Sequence, residues 1–329
     1  MDQGTLFIVC VIAMAYLFDF INGFHDAANS IATIVTTGVL TPLQAVLWAA
    51  FFNFIAFMFF NLMVANTIGN GLIDTHLIDA KLIFAALIGA ISWNLCTWYF
   101  GLPSSSSHAL IGGLAGAAIV RGGFTALKLT GFIKVALGIF ITPVLGLVIS
   151  LLLTYTLTRV LRNHSERTLN KVFKSFQLLS SAMLSLTHGG NDAQKTMGII
   201  AVLLFASGWI EGAFHVPFWI VVSCHLVISL GTLAGGWRIV HTMGTKITKL
   251  NPLRGCTAES SAAAIIFAST ELGIPVSTTQ TVTGAIAGAG LAEGLAGTQW
   301  RMLRVIYISW LLTIPAASLV SALIILIIH

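Results

Sequence analysis

The sequence predicts an all-α polytopic membrane protein made of two inverted-topology repeats, and three observations lead to this fold class. The chain of 329 residues is 57% hydrophobic and only 8% charged, whereas soluble domains carry about 25% charged residues. It contains several apolar runs of the roughly 20 residues that a spanning helix needs. Two polar motifs interrupt these runs in the first half and recur in the same order in the second half, as in transporters built from internal repeats.

The first motif places an aspartate between apolar segments. Residues 23–27 read Gly-Phe-His-Asp-Ala, and residues 189–193 read Gly-Gly-Asn-Asp-Ala. We predict a broken helix in each repeat, unwound at Asp26 and at Asp192. A carboxylate inside a membrane costs about 2.5–3.5 kcal/mol unless it is compensated, so cations or protons are expected there. The alternative is that each aspartate caps the following helix or pairs with Lys195.

The second motif places hydroxyl groups after a proline. Residues 103–108 read Pro-Ser-Ser-Ser-Ser-His and residues 275–280 read Pro-Val-Ser-Thr-Thr-Gln, each before a stretch rich in small residues. Proline ends the incoming helix, and the start of the next helix offers free N–H groups and the positive end of its dipole. We therefore predict two re-entrant helical hairpins that cradle a tetrahedral oxyanion. Helix capping is the alternative, although one cap needs only one hydroxyl.

The distribution of charge gives the domain plan and the topology. Residues 1–158 form the first repeat, 159–175 a linker and 176–329 the second repeat. The linker carries five Lys or Arg residues against Glu166 alone, so the positive-inside rule places it in the cytoplasm. A second basic loop, within 238–254, is also assigned to the inside. The two hairpins then enter from opposite faces, and the repeats have opposite orientations.

These motifs resemble those of the inorganic phosphate transporter (PiT) family, bacterial type. Residues 20–30 are similar to the first family motif, residues 188–198 to the second, and both hairpin motifs match as well. The resemblance implies symport of inorganic phosphate with Na⁺ or H⁺ across the cytoplasmic membrane by an elevator-type transporter. It implies no enzyme activity and no cofactor beyond the coupling ion.

The resemblance also assigns site residues. It places phosphate at the hairpin residues Ser105, Ser106, Ser107, Ser277, Thr278 and Thr279, to which we add Lys195. It places the coupling cation or proton at Asp26, Asn29, Asn191 and Asp192, with Asp26, Asn29 and Asp192 as the expected Na⁺ ligands. Lys195 occupies the position that matches Asn29. We hypothesise that its ammonium replaces one mobile cation or contacts the anion, which favours proton coupling.

Other functions and partners fit the sequence less well. A sulfate permease of the same family is the main alternative, but hydrogen phosphate carries a proton that a carboxylate can accept and sulfate has none. A passive anion channel or an intramembrane hydrolase ranks lower, since Ser107 and His108 are neighbours that do not face each other on a helix. The resemblance implies a homodimer, and it permits a soluble cytoplasmic regulator and a metal–phosphate substrate. Nucleic acid is not an expected partner, because the basic residues lie in loops.

Overall fold

The computed structural model describes residues 3–328, which form a bundle of α-helices joined by short turns. The first half contains α1 Gln3–Thr36, α2 Pro42–Ile55, α3 Met63–Gly71, α4 Ala80–Tyr99, α5 Ser106–Gly122 and α6 Leu129–Val160. The second half contains α7 Glu166–Ala206, α8 Phe218–Ala234, α9 Trp237–Thr245, α10 Pro252–Glu271, α11 Thr278–Leu291 and α12 Trp300–Ile328. Short 3-10 turns lie at Ala56–Met58, Thr75–Leu77, Phe124–Ala126 and Leu295–Gly297.

Several of these helices can cross a membrane. Within the described residues, α1, α4, α6 and α12 are each long and apolar enough to span. The pairs α2–α3 and α8–α9 are bent by 79° and 72°, and each pair passes the same test when it is taken as one span. The chain is therefore a multi-pass helical membrane protein, as its composition predicted.

The order of elements in the first half recurs in the second. Each half has a long helix, a bent pair, a helix that ends before a Pro-containing break, a shorter helix and a last long helix with an internal proline, Pro143 or Pro315. The halves also pack on each other reciprocally. Helix α5 packs against α12 and α11 against α6, while α1 packs against α8 and α7 against α2. The two predicted repeats interlock and do not form separate bodies.

The predicted helix breaks at the two aspartates are wrong. Helices α1 and α7 run without interruption through Asp26 and Asp192. The glycines of the motifs serve close packing: a Cβ on Gly23 would lie 2.1 Å from the carbonyl oxygen of Ile228, and one on Gly189 would lie 2.6 Å from that of Asn53. Side chains of other helices reach both aspartates, so the backbone does not need to unwind to contact them.

The breaks lie instead in the bent pairs. At the start of α3, the backbone N–H groups of Val64 and Ala65 donate to Oε1 of Gln194 at 3.0 and 3.1 Å. The amide nitrogen of Gln194 donates to the carbonyl oxygens of Asn61 and Gly190, each at 2.7 Å. Because Gln194 satisfies N–H groups that a helix start leaves free, this side chain of the second aspartate motif stabilises the bend.

Among the residues that the structure describes, two apolar cores lie on either side of the polar motifs. One core combines the early part of α1, around Val11–Phe18, with the late part of α7, around Met197–Leu204. The other combines the late part of α1, around Ala27–Ile34, with Leu184 in the early part of α7. The aspartate motifs and the hairpin turns therefore lie between two apolar layers, where contact with water is limited.

Replacing Gly116 with alanine is expected to destabilise the helix pair α5–α12. A Cβ at this position would lie 2.2 Å from the carbonyl oxygen of Ser318, and overpacking costs about 1–3 kcal/mol. We expect a lower melting temperature in detergent. The matched control is Gly71→Ala, because a Cβ there meets only Thr67 at 3.4 Å. Equal melting temperatures for the two variants would show that this close approach does not limit the packing.

Candidate functional site

Each short helix after a hairpin turn begins with a capping serine. The hydroxyl of Ser105 accepts a hydrogen bond from the backbone N–H of His108, and that of Ser277 accepts one from the N–H of Gln280, both at 3.2 Å. Helix capping is thus the role of one hydroxyl in each hairpin, and its own O–H stays available as a donor. The hydroxyls that follow each cap are buried, and those of Ser107, Thr278 and Thr279 make contacts with other helices.

The second hairpin joins the two aspartates. Thr279 Oγ1 donates to Asp26 Oδ1 at 3.2 Å, and Thr278 Oγ1 donates to Asp192 Oδ2 at 3.2 Å. Asn29 Nδ2 donates to Thr279 Oγ1 at 3.0 Å and to Thr278 Oγ1 at 3.3 Å. Residues predicted for the anion and residues predicted for the cation therefore form one buried cluster.

Lys195 is fully engaged in the same cluster. Its Nζ donates to Asp192 Oδ1 at 2.5 Å and to the carbonyl oxygen of Val276 at 3.0 Å, and it also contacts Ser107 Oγ. The side chain is 1% exposed. An ammonium has three donors, so these three acceptors satisfy it without water. The pairing of Asp192 with Lys195, considered above as an alternative, is present.

The contacts of Lys195 and Asn29 correspond between the halves. Lys195 follows Asn29 by 166 residues, and Thr279 follows Ser107 by 172. In the structure Lys195 contacts Ser107 of the first hairpin, and Asn29 contacts Thr279 of the second. Each of the two side chains thus contacts the last hydroxyl of the hairpin in the other half. The ammonium of Lys195 in the second half therefore takes the position that the amide of Asn29 has in the first.

The two carboxylates lie close together. Oxygen atoms of Asp26 and Asp192 and a ring nitrogen of His188 are all within 4.8 Å of one another, and all three residues are buried. His25 Nδ1 lies 2.8 Å from Asp26 Oδ1, and His25 Nε2 lies 3.1 Å from Thr97 Oγ1. His188 Nε2 is 3.3 Å from Asp192 Oδ2 without hydrogen-bond alignment. This arrangement concentrates negative charge where it needs compensation.

Known proteins are similar to this chain over nearly its whole length. Residues 22–321 match the phosphate transporter family. The chain belongs to the phosphate transporter family. A probable low-affinity inorganic phosphate transporter of Rhizobium meliloti is 55% identical over 98% of this chain and 97% of its own, and one of Bacillus subtilis is 40% identical over the same shares.

A solved structure shares the architecture of this family member. It is described as the sodium-dependent phosphate transporter and matches with a TM-score of 0.87, at 26% identity, over 98% of this chain and 99% of that one. These findings confirm the predicted family and the class of transporter rather than enzyme.

Not every predicted site residue of this phosphate transporter family member joins the cluster. Asn191 Nδ2 donates to Thr270 Oγ1 at 2.8 Å, on α10, and its Oδ1 has no hydrogen-bond partner. The hydroxyl of Ser106 is buried and also has no partner. Glu259 accepts from Thr33, Gln177 and Ser180 at 2.5–2.9 Å. Glu259 and these three side chains form a polar group that contains none of the hairpin hydroxyls.

Sequence reasoning missed two residues of this region. Thr97 accepts from Ser104 at 2.8 Å and lies beside His25, so it orients the imidazole next to Asp26. Asp19 is buried and accepts from Thr196 Oγ1 at 2.8 Å. The signal for Asp19 was visible as the single acidic residue within the apolar run 6–22.

Proposed function

We propose that this chain is a secondary active symporter of inorganic phosphate in the cytoplasmic membrane, coupled to H⁺ or Na⁺. The observation that carries the proposal is the direct link from Thr278 and Thr279 to Asp192 and Asp26. Hydroxyls suited to an anion and carboxylates suited to a cation share one cluster, so occupancy of one affects the other. The names of the relatives support phosphate as the substrate, and that of the solved structure supports Na⁺ as one candidate ion.

The charges of the cluster require one further positive charge. Asp26 and Asp192 carry two negative charges when ionised, and Lys195 offsets one of them. The other needs a protonated His25, a proton on a carboxyl group or a bound cation. Asn29 Oδ1 is buried without a hydrogen-bond partner, which supports a cation ligand. We propose Asp26, Asn29 and Asp192 as the coupling-ion ligands, with Lys195 in place of a second cation.

Phosphate is proposed to bind at the starts of α5 and α11. Both helix starts direct N–H groups and the positive end of the dipole toward the site. The hydroxyl of Ser106 is free to donate, and Lys195 supplies a positive charge. The proposed phosphate residues are the six hairpin hydroxyls with this lysine: Ser105, Ser106, Ser107, Ser277, Thr278, Thr279 and Lys195. The nearby carboxylates can accept the proton of hydrogen phosphate, which favours phosphate over sulfate.

The proposal includes the orientation of the repeats. Each apolar core combines the early part of one long helix with the late part of the other, which supports an inverted arrangement of 1–158 and 176–329. Residues 159–175 are then cytoplasmic, and transport would carry the hairpins across in an elevator-like movement. A dianion entering a negative cell opposes about 2.3 kcal/mol per charge per 100 mV, so symport suits this substrate better than a channel does.

The test is uptake of radiolabelled phosphate into proteoliposomes, with a Na⁺ gradient or a pH gradient imposed separately and excess unlabelled sulfate as competitor. We expect gradient-driven uptake that excess sulfate does not inhibit. Whichever of the two gradients drives uptake identifies the coupling ion. Uptake that sulfate abolishes would assign the chain to sulfate transport. Flux that proceeds equally without either gradient would indicate a channel.

A further inference from the structure

Asp19 is a buried carboxyl group outside the cluster described above. It lies seven residues before Asp26 on α1, which is two turns or about 10.5 Å along the axis. Its side chain is fully buried. It is located near the middle of α1, beside the first apolar core, whose nearest member on this helix is Phe18.

Asp19 has little compensation for a negative charge. Thr196 Oγ1 donates to its Oδ1 at 2.8 Å, and Oδ2 has no hydrogen-bond partner. No Lys, Arg or His forms an ion pair with it in the part of the chain that the structure describes. An ionised carboxylate offers about four acceptor sites, and a buried charge without a partner is strongly unfavourable.

The titratable groups that face Asp19 cannot supply a positive charge. They are Tyr16 on α1, Asp192 on α7 and Cys224 on α8, and each is neutral or negative. Helix α4 runs beside α1: the ring of Phe84 packs against that of Phe7, and Thr97 forms a hydrogen bond with His25. Between these two points α4 carries Cys96 as its titratable side chain.

Sodium does not suit this position. A metal cation needs several oxygen ligands at once; the carboxylates of Asp26 and Asp192 converge in the cluster, whereas no second carboxylate converges on Asp19 in a group of this kind among the described residues. Thr196 is the hydroxyl in contact with Asp19. A proton needs one oxygen and no coordination shell, so a neutral carboxylic acid is the form that this environment accommodates.

We infer that Asp19 binds a proton that is exchanged in each transport cycle, as a coupling site separate from Asp26 and Asp192. The inference rests on the proposed phosphate symport and names a residue for its proton. Loading adds one proton from water to a carboxylate oxygen, and release returns it to water on the opposite side. Thr196, which donates to Asp19, lies one turn after Asp192 on α7. The negative charge of Asp192 is therefore close enough to Asp19 to interact with it electrostatically.

The experiment uses Asp19→Asn in proteoliposomes. Asparagine keeps the shape and can still accept from Thr196, but it cannot release a proton. We expect uptake driven by a pH gradient to fall at least tenfold, while exchange of internal for external phosphate at equal pH stays within about twofold of the wild type. The number of protons moved per phosphate should fall by one.

The matched control is Ser185→Ala. Ser185 follows Asp19 by 166 residues, is buried on α7 and donates to the carbonyl oxygen of Ser181. We expect this variant to keep the proton count and the pH-gradient response of the wild type. A loss of coupling equal to that of Asp19→Asn would mean that disturbed helix packing explains both variants and would overturn the inference.

Two outcomes separate this inference from the proposed function. If the wild type does not exchange phosphate, the proposed function fails. If the wild type exchanges phosphate and Asp19→Asn keeps the same proton count and pH-gradient response, the inference about Asp19 alone is overturned. Should the asparagine variant not fold, Asp19→Glu retains a titratable group and is expected to shift the pH of half-maximal uptake, and an unshifted profile would contradict the inference.

Discussion

Replacing Lys195 with asparagine is expected to make phosphate uptake require one more mobile cation than the wild type. The substitution leaves Asp192 with the hydroxyl of Thr278 and the imperfectly aligned His188. Removing one member of a buried pair costs about 3–5 kcal/mol, which is more than a hundredfold in an equilibrium constant. An amide at this position repeats the role of Asn29, so Na⁺ can bind where the ammonium was.

The measurement is the dependence of uptake on Na⁺ at fixed pH. We expect at least a tenfold loss in the absence of Na⁺, and substantial recovery when Na⁺ is added. Lys195→Met is the matched control, since it removes the charge and offers no amide, and it should not recover. The idea is refuted by Lys195→Asn protein with the phosphate affinity and cation dependence of the wild type.

The correspondence between Lys195 and Asn29 could be predicted from the sequence. The offsets of the aspartate motifs and of the hairpin motifs align the two residues without any structure. The capping serines and the hairpin turns were also predictable, because proline and small polar residues act on the backbone within a few residues. Contacts between Lys195 and Ser107, or between Asn29 and Thr279, follow only once the halves interlock.

The continuity of α1 and α7 could not be predicted. Glycine is a signal for both a helix break and close helix packing, and the choice at Gly23 depends on Ile228, which lies 205 residues away. The orientation of the Asn191 side chain could not be predicted either, for the same reason. Its neighbour Asp192 faces the cluster, whereas Asn191 reaches Thr270 on α10. Such choices depend on which helix packs against each face, and this information is not local.

The compensation of the aspartates was predicted in kind but not in detail. A buried carboxylate requires a positive partner or donors, and the sequence placed Lys195 three residues after Asp192. Asp26 instead accepts from His25 beside it and from Thr279, 253 residues away. Asp19 belongs to neither repeated motif, so the repetition that marks Asp26 and Asp192 gives no signal for it.

Replacing Thr279 with valine is expected to lower phosphate uptake by about 10- to 100-fold. Valine keeps the shape of the side chain but removes the donor to Asp26 and the acceptor for Asn29. A hydrogen bond to a charged group contributes about 1.5–3 kcal/mol, and each 1.4 kcal/mol is about tenfold in affinity. The measurement is initial uptake as a function of phosphate concentration.

Thr283→Val is the matched control for this effect. Thr283 lies one turn further along α11, is equally buried, and its hydroxyl has no hydrogen-bond partner, so its loss should change uptake by less than about twofold. Thr279→Ser keeps a hydroxyl, as Ser107 does in the first hairpin, and should retain most of the activity. Since valine at 279 and at 283 perturbs packing to a similar extent, equal uptake by the two variants would show that the hydroxyl of Thr279 takes no part in binding. A selective loss at 279 that serine reverses would assign the effect to the hydroxyl that bonds to Asp26.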